Sequence, residues 1–264
     1  MKEKTSAPKA PHFGETTNSV VRIGDVAFAK IDDPELLRLT ENAVSAKRPL
    51  SIVHPNAHHL NICRSNRDLV DALSGFDYVV PDGVGVYLAA RFLYGRAGGF
   101  PRRQTGTDFY FSLLQRASDL RWRIFFLGDK PEVLNVLAGK LQQDHSGVIV
   151  AGMHDGFFDP EDQSVVEMVR ASNADLLMVG MGVPRQELWL RKNKGVVNIP
   201  VSIAVGAGIS FLSGEKKRAP MWLRTLGLEW LYRTIQEPKR LWSRYIVGIP
   251  AFFFYLVKIK LWAK

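Results

Sequence analysis

Residues 123–150 open with Arg123-Ile124-Phe125-Phe126-Leu127 and pass through Gly128-Asp129-Lys130-Pro131-Glu132. They then carry Val133, Leu134, Leu137 and Leu141, and close on Val148-Ile149-Val150. The first and last runs are short and rich in β-branched, aliphatic or aromatic residues, as buried strands are. Between them the apolar residues return at helical spacing, and Pro131 with Glu132 suits the first turn of a helix. Strand, helix and strand in about thirty residues is the unit from which parallel sheets are built.

The same alternation extends in both directions. Leu50-Ser51-Ile52-Val53, Asp77-Tyr78-Val79-Val80, Leu176-Leu177-Met178-Val179 and Val201-Ser202-Ile203-Ala204-Val205 read as further strands. Leu69 and Leu73 mark a helical segment between the first two, and Asp159-Pro160-Glu161-Asp162 announces another helix. Most of these runs meet Gly, Pro or Asp within two residues, where strand-end loops of a parallel sheet sit and where such sheets bind ligands. The expected class is α/β, an open and mostly parallel sheet over residues 20–214.

Composition frames this body. At 46% apolar and 23% charged, 264 residues suit one α/β domain with an appendage. The single cysteine, Cys63, cannot form an internal disulfide, which fits a reduced cytoplasmic location. Residues 1–19 are polar, lack the apolar core of a signal peptide and are expected to be a disordered leader.

Charge separates the two ends of the chain. Residues 215–264 hold eleven Lys or Arg against three acids, a net of +8, which leaves +1 of the total +9 for the rest. A neutral body with a basic extension seeks an anion: nucleic acid, an anionic membrane, or substrate phosphates. Within the extension, the thirteen uncharged residues Tyr245–Val257 include Gly248 and Pro250 and are followed by Lys258, Lys260, Trp262 and Lys264. Thirteen is short of the ~20 residues a spanning helix needs. Aromatic rings flanked by lysines suit a partly helical segment lying in the membrane interface, a membrane-docking appendage. The alternative is that these rings pack back on the body.

Candidate chemistry lies at two strand ends. In Val53-His54-Pro55-Asn56-Ala57-His58-His59 no HExxH pattern or neighbouring acid supports a metal site, so none is assigned; Asn56 is either a helix cap or a ligand-facing amide. In Val80-Pro81-Asp82-Gly83-Val84-Gly85, Asp82 enters glycine-rich backbone, as a general base for an acceptor hydroxyl or as a cap. Gln186 and Glu187 follow Gly182-Val183-Pro184 in the first turn of a helix; Gln186 could hydrogen-bond a sugar, and Glu187 complement the helix dipole. Arg103 is either a phosphate contact or a surface charge. There is no Walker A segment, no dinucleotide fingerprint and no Asp-x-Asp pair, so the charge of a bound diphosphate must be met by backbone amides, helix N-termini or basic side chains.

These motifs stand in a familiar order. Pro81-Asp82-Gly83-Val84-Gly85, Arg103 with Thr105-Gly106-Thr107-Asp108, His154-Asp155-Gly156-Phe157-Phe158, Gly182-Val183-Pro184-Arg185-Gln186-Glu187-Leu188-Trp189, Lys217-Arg218-Ala219-Pro220 and Glu237-Pro238-Lys239-Arg240 resemble the WecG/TagA/CpsF glycosyltransferases, from about Gly24 to Arg244. The resemblance implies a Rossmann-like fold and a metal-independent, inverting hexosyl or N-acetylhexosaminyl (or uronic acid) transfer without a cofactor. The donor would be a UDP-sugar and the acceptor a polyprenyl-diphosphate-linked sugar, on the cytoplasmic face of the plasma membrane. The product would serve capsule, exopolysaccharide or related envelope glycan, the alternative being an N-acetylmannosamine transfer of the teichoic acid or enterobacterial common antigen type.

It further implies Asp82 as catalytic base, Asn56, Arg103 and Gln186 as substrate contacts, and His54 at a contact position where the family commonly has Thr. Arg233, Arg240 and Arg244 resemble the family's diphosphate-closing arginines, Arg244 standing one residue late. The extension is also read as covering an apolar oligomer surface of the body, so a homo-oligomer is expected when it lifts. A nucleic-acid-binding protein is the reading from another class. Against it, the basic residues alternate with long aliphatic and Phe runs rather than a stacking groove.

Overall fold

The computed structural model describes residues 20–262; the leader read over residues 1–19 lies outside them. The chain opens with strands β1 (Val20–Ile23) and β2 (Val26–Ala29), then runs through helix α1 (Asp33–Ser45), β3 (Leu50–Val53), α2 (Ala57–Cys63), α3 (Arg67–Ser74) and β4 (Tyr78–Val79). Helices α4 (Gly83–Gly98) and α5 (Gly106–Asp119) lead to β5 (Arg123–Gly128), α6 (Pro131–Asp144), β6 (Ile149–His154), α7 (Gln163–Ala171), β7 (Leu176–Gly180), α8 (Arg185–Val197), β8 (Val201–Ala204) and α9 (Gly208–Ser213). Beyond the loop that follows Gly214, the described elements are all helical: α10 (Met221–Thr225), α11 (Glu229–Gln236), α12 (Pro238–Trp242), a π-helical turn over Ser243–Val247 and α13 (Gly248–Trp262).

Strands β3 to β8 form one parallel, Rossmann-like sheet in the order β4-β3-β8-β7-β5-β6. Side chains alternate between its faces with period two, as a pleated strand requires. In β7, Leu176 and Met178 join one apolar core while Leu177 and Val179 join the other; in β5, Ile124 and Phe126 oppose Phe125 and Leu127 in the same way. Both faces are therefore covered, one chiefly by α1, α5, α6 and α9, the other by α2, α3, α4, α7 and α8. Near-continuous apolar strands are what such two-sided burial demands.

The antiparallel pair β1–β2 is an addition that the strand reading above does not contain. Its signal was available in the alternation Val21, Ile23 around the Gly24-Asp25 turn. Gly24 has φ +60°, and a β-carbon there would collide with the hydroxyl of Tyr255 in α13. The hairpin turn thus meets the C-terminal helix at Tyr255, while α13 packs chiefly on α2 and α4 and buries Phe252 and Leu256 in the same core.

The extension departs from the sequence reading in one respect. Gly248 and Pro250 do not interrupt it: Pro238–Trp262 is one helical run of 25 residues, long and apolar enough to cross a membrane by length and composition. A proline inside a helix clashes with the carbonyl four residues back and offers no N–H. Here a π-helical turn over Ser243–Val247 precedes Pro250 and contains Ile246, the residue four back from the proline. Only one stripe of the run packs inward. Trp242, Val247, Phe253, Phe254, Leu261 and Trp262 stay exposed, so the packed-back reading describes the inner stripe alone.

Candidate active site

Asp82 and Asn56 meet because of register. In the β3–β4 pair Ile52 lies opposite Tyr78 and Val53 opposite Val79, a constant offset of 26 residues. The ladder continues past the strand ends, with the Val80 N–H donating to the Val53 carbonyl (2.9 Å) and the Asp82 N–H to that of Pro55 (3.1 Å). Carried one residue further, the same offset sets Asn56 beside Asp82, and the Asn56 Nδ2 donates to Asp82 Oδ2 at 3.3 Å.

Each residue starts a helix, with different consequences. Asn56 caps α2, its Oδ1 accepting the His58 N–H (3.0 Å), so the bland role is real. Because that backbone donor fixes the amide oxygen, the amide nitrogen must face Asp82, and Asn56 serves both roles at once. Asp82 holds the cap position of α4 but makes no capping bond there. Its Oδ1 accepts instead from the N–H of Gly106, the first residue of α5 (3.0 Å). Gly106 is needed at that spot: a β-carbon would press on the Tyr110 hydroxyl and the His54 side chain.

Above this carboxylate lies a cavity of about 350 Å³, floored by Asn56, His58, Asp82 and Gly83. Arg103, Arg224, Arg233 and Arg244 bring four guanidinium groups to its wall, and Leu88, Trp230, Ile249 and Phe252 make an apolar side. Among the described residues, Arg103, Arg233 and Arg244 form no ion pair with a carboxylate. The Nε atoms of Arg224, Arg233 and Arg244 are buried without partners. Burial pushes the Arg244 guanidinium below the ordinary arginine range; Tyr245 and Asp82 oppose the shift, while Arg233 and Arg240 add to it. Burial, then Arg244, then His59 push His58 down to about 4. A cavity that holds this much unpaired positive charge is built for an anion.

The extension is fastened over the cavity at several points. Arg103 donates to the Arg224 carbonyl (2.5 Å), Asn61 to that of Gly248 (2.7 Å), and Arg218 joins Asp108 (2.5 Å) to Glu229 (3.4 Å). Five residues from the sequence reading therefore line one cavity: Asn56, Asp82, Arg103, Arg233 and Arg244. Three do not. His54 is buried behind Asp82 between Phe109 and Tyr110, with both ring nitrogens unpartnered, and burial pushes it down to about 4. Gln186 is buried and already engaged: its Nε2 donates to Glu187 (2.6 Å) and its Oε1 accepts the Gly206 N–H (2.9 Å). Arg240 stands outside the cavity, paired with Glu237 at 2.5 Å.

Glu187 stands in the first turn of α8, where an acid complements the helix dipole, and it has a second partner. It is fully buried, and its Oε1 lies 3.3 Å from His59 Nε2. Arg224 was missed altogether. The sequence signals its charge, but with only five residues in α10 no helical phase can be read to tell a cavity arginine from a surface one. Among the described residues, no group of three or more His, Cys, Asp or Glu is arranged to hold a metal ion.

A carboxylate thus stands at the carboxyl edge of a parallel sheet, the edge at which such sheets bind ligands, across a cavity from Arg103, Arg233 and Arg244, which form no ion pair among the described residues, and from Arg224, which is shared with Asp108 (3.4 Å). The particular family follows from comparison. The model of the glycosyl transferase WecG/TagA/CpsF family matches residues 21–264, and the chain belongs to that family: it is a glycosyltransferase. A relative from Bacillus subtilis strain 168 is 32% identical over 210 residues, covering 79% of this chain and 78% of its own. Relatives from Staphylococcus aureus strains MW2 and NCTC 8325 are 29% identical over 241 residues, covering 89% of this chain and 92% of theirs. All three are named N-acetylglucosaminyldiphosphoundecaprenol N-acetyl-beta-D-mannosaminyltransferase.

Proposed function

We propose that this enzyme transfers an N-acetylhexosamine, N-acetylmannosamine first among them, from a UDP-sugar to a polyprenyl-diphosphate-linked sugar. The reaction inverts the anomeric centre and needs no metal ion. The observation that carries this reading is Asp82, held by Asn56 and Gly106 on the floor of a cavity walled by four arginines. One carboxylate oxygen takes the proton of the acceptor hydroxyl as that oxygen attacks the anomeric carbon. The bond to the diphosphate breaks on the opposite face, and UDP leaves with the electron pair. Arg233 and Arg244 meet the charge that develops, with Arg103 and Arg224 beside them. Arg240 would have to leave Glu237 to join them. The names of the relatives support the amino sugar and the lipid-linked acceptor.

The same reading puts the protein at the inner face of the plasma membrane. Its support is the exposed aromatic stripe of α13 with Lys258 and Lys260, beside the apolar wall of the cavity. The test is Asp82→Asn, assayed with UDP-N-acetylmannosamine and a polyprenyl-diphosphate N-acetylglucosamine. Turnover is expected to fall ~10²–10⁴-fold, the usual worth of a general base, with UDP binding retained. Near-normal turnover by the folded variant would show that the base lies elsewhere.

A further inference from the structure

Behind Asp82 runs a chain of side chains that the reaction as described leaves unused. Asn56, which donates to Asp82, is tied to His59: its N–H lies 3.3 Å from His59 Nδ1, and its Oδ1 is 3.1 Å from the same atom. On the far side of the ring, His59 Nε2 is 3.3 Å from Glu187 Oε1. Glu187 is 0% exposed, and its second oxygen has no partner. Gln186 completes the series by tying Glu187 to the Gly206 N–H, beyond the end of β8. From Gly206 to Asp82 the series crosses the carboxyl ends of three neighbouring strands, β8, β3 and β4.

A buried carboxyl oxygen without a partner is costly, and core packing alone would favour an apolar residue there. The geometry shows what the carboxyl does. An acceptor at Nε2 keeps the ring proton on that nitrogen, and Nδ1 is then free to accept the Asn56 N–H. In the other tautomer Nδ1–H would face the Asn56 N–H, which would lose its acceptor, and the segment that carries the Asn56 side chain to Asp82 would be held less firmly. We infer that Glu187, acting through His59, is a positioning residue: it sets the tautomer that locks the Asn56 amide and thereby aims the Asp82 carboxylate. This inference rests on Asp82 being the base.

Two substitutions cut the series at different points. Glu187→Leu removes the acceptor at His59 Nε2, whereas Glu187→Gln retains an oxygen that can accept from both Gln186 and His59. His59→Leu removes the ring, whereas His59→Gln keeps a side chain able to cap Asn56, since Gln at the third helical position is the usual partner in a capping box. Each leucine variant is expected to lower kcat on the order of tenfold, the cost of a misaimed reacting group, with KM for donor and acceptor unchanged. Each glutamine variant is expected to stay near wild-type turnover, because it keeps the acceptor that the series needs. The double leucine variant is expected to lose about tenfold in total, not a hundredfold, since both changes cut one link.

Multiplying losses, a rise in KM in place of the fall in kcat, or wild-type turnover in either single leucine variant would overturn the inference. Asp82→Asn run in parallel separates the cases. If it stays active, the base is misassigned and the inference falls with it; if it is dead while Glu187→Leu is normal, only the positioning role is lost.

Discussion

The sheet and the C-terminal extension use apolar residues in opposite ways. In β5 and β7 every side chain from Ile124 to Leu127 and from Leu176 to Val179 is buried, and each face feeds its own core. In the extension the apolar residues mostly stay outside: among the described residues, thirteen of the twenty-four exposed large hydrophobic side chains lie between Met221 and Trp262. So high a density of exposed apolar surface marks an interaction face rather than an unfinished core. Yet the two regions share one site, because the sheet supplies Asp82 and the extension supplies Arg224, Arg233 and Arg244. Most of the core lies in the first region, and three of the four cavity arginines lie in the second.

The sharpest way to break that division is to remove residues 215–264. Transfer to a lipid-linked acceptor and association with anionic vesicles are both expected to disappear, while circular dichroism still reports the sheet. Full activity of the truncated chain on a lipid acceptor would refute the division. Next in size, Arg244→Ala should lower kcat/KM about 10²–10³-fold, as expected for one charge stabiliser, with little change in melting temperature. A large fall in stability instead would make Arg244 a packing residue.

A paired substitution sharpens the contrast further. Phe125→Ala is expected to cost about 3–5 kcal/mol of unfolding free energy, because the core cannot close around the cavity. Phe254→Ala, 71% exposed, should stay within about 0.5 kcal/mol yet weaken vesicle binding. Equal destabilisation of the two in urea titrations would erase the distinction.

The last effect is a pH dependence confined to the body. His54 in the folded protein is pushed down to about 4 from an ordinary 6.5. Between those values the unfolded chain binds a proton that the folded chain does not, so stability falls as pH drops through the window and is unaffected above it. The loss reaches roughly 3 kcal/mol at its low end. His54→Asn should flatten the difference between urea midpoints at pH 7.5 and pH 5; an unchanged slope would assign it to other groups, His58 first.

Much of this was legible from the residues in order. Strand and helix periods are local, so the parallel α/β class could be read from residues 123–150 and their neighbours. The basic extension could be counted, and the succession of motifs pointed to the family that the comparison found. What stayed hidden depended on contacts between distant segments. The offset of 26 residues that joins Asn56 to Asp82 is a property of strand pairing, which no single strand displays.

The amino-acid sequence by itself determined which segments are strands, where acids and glycines end them, and that an anion-seeking tail follows a neutral body. These rest on side-chain chemistry and near-neighbour sterics. Tertiary structure alone decided which arginines face the cavity and that Gln186 and His54 lie behind it. It alone turned Glu187 inward to His59 and let Pro250 sit within a continuous helix. Each outcome is set by the phase at which one element packs on another, and that phase exists only once the chain has folded.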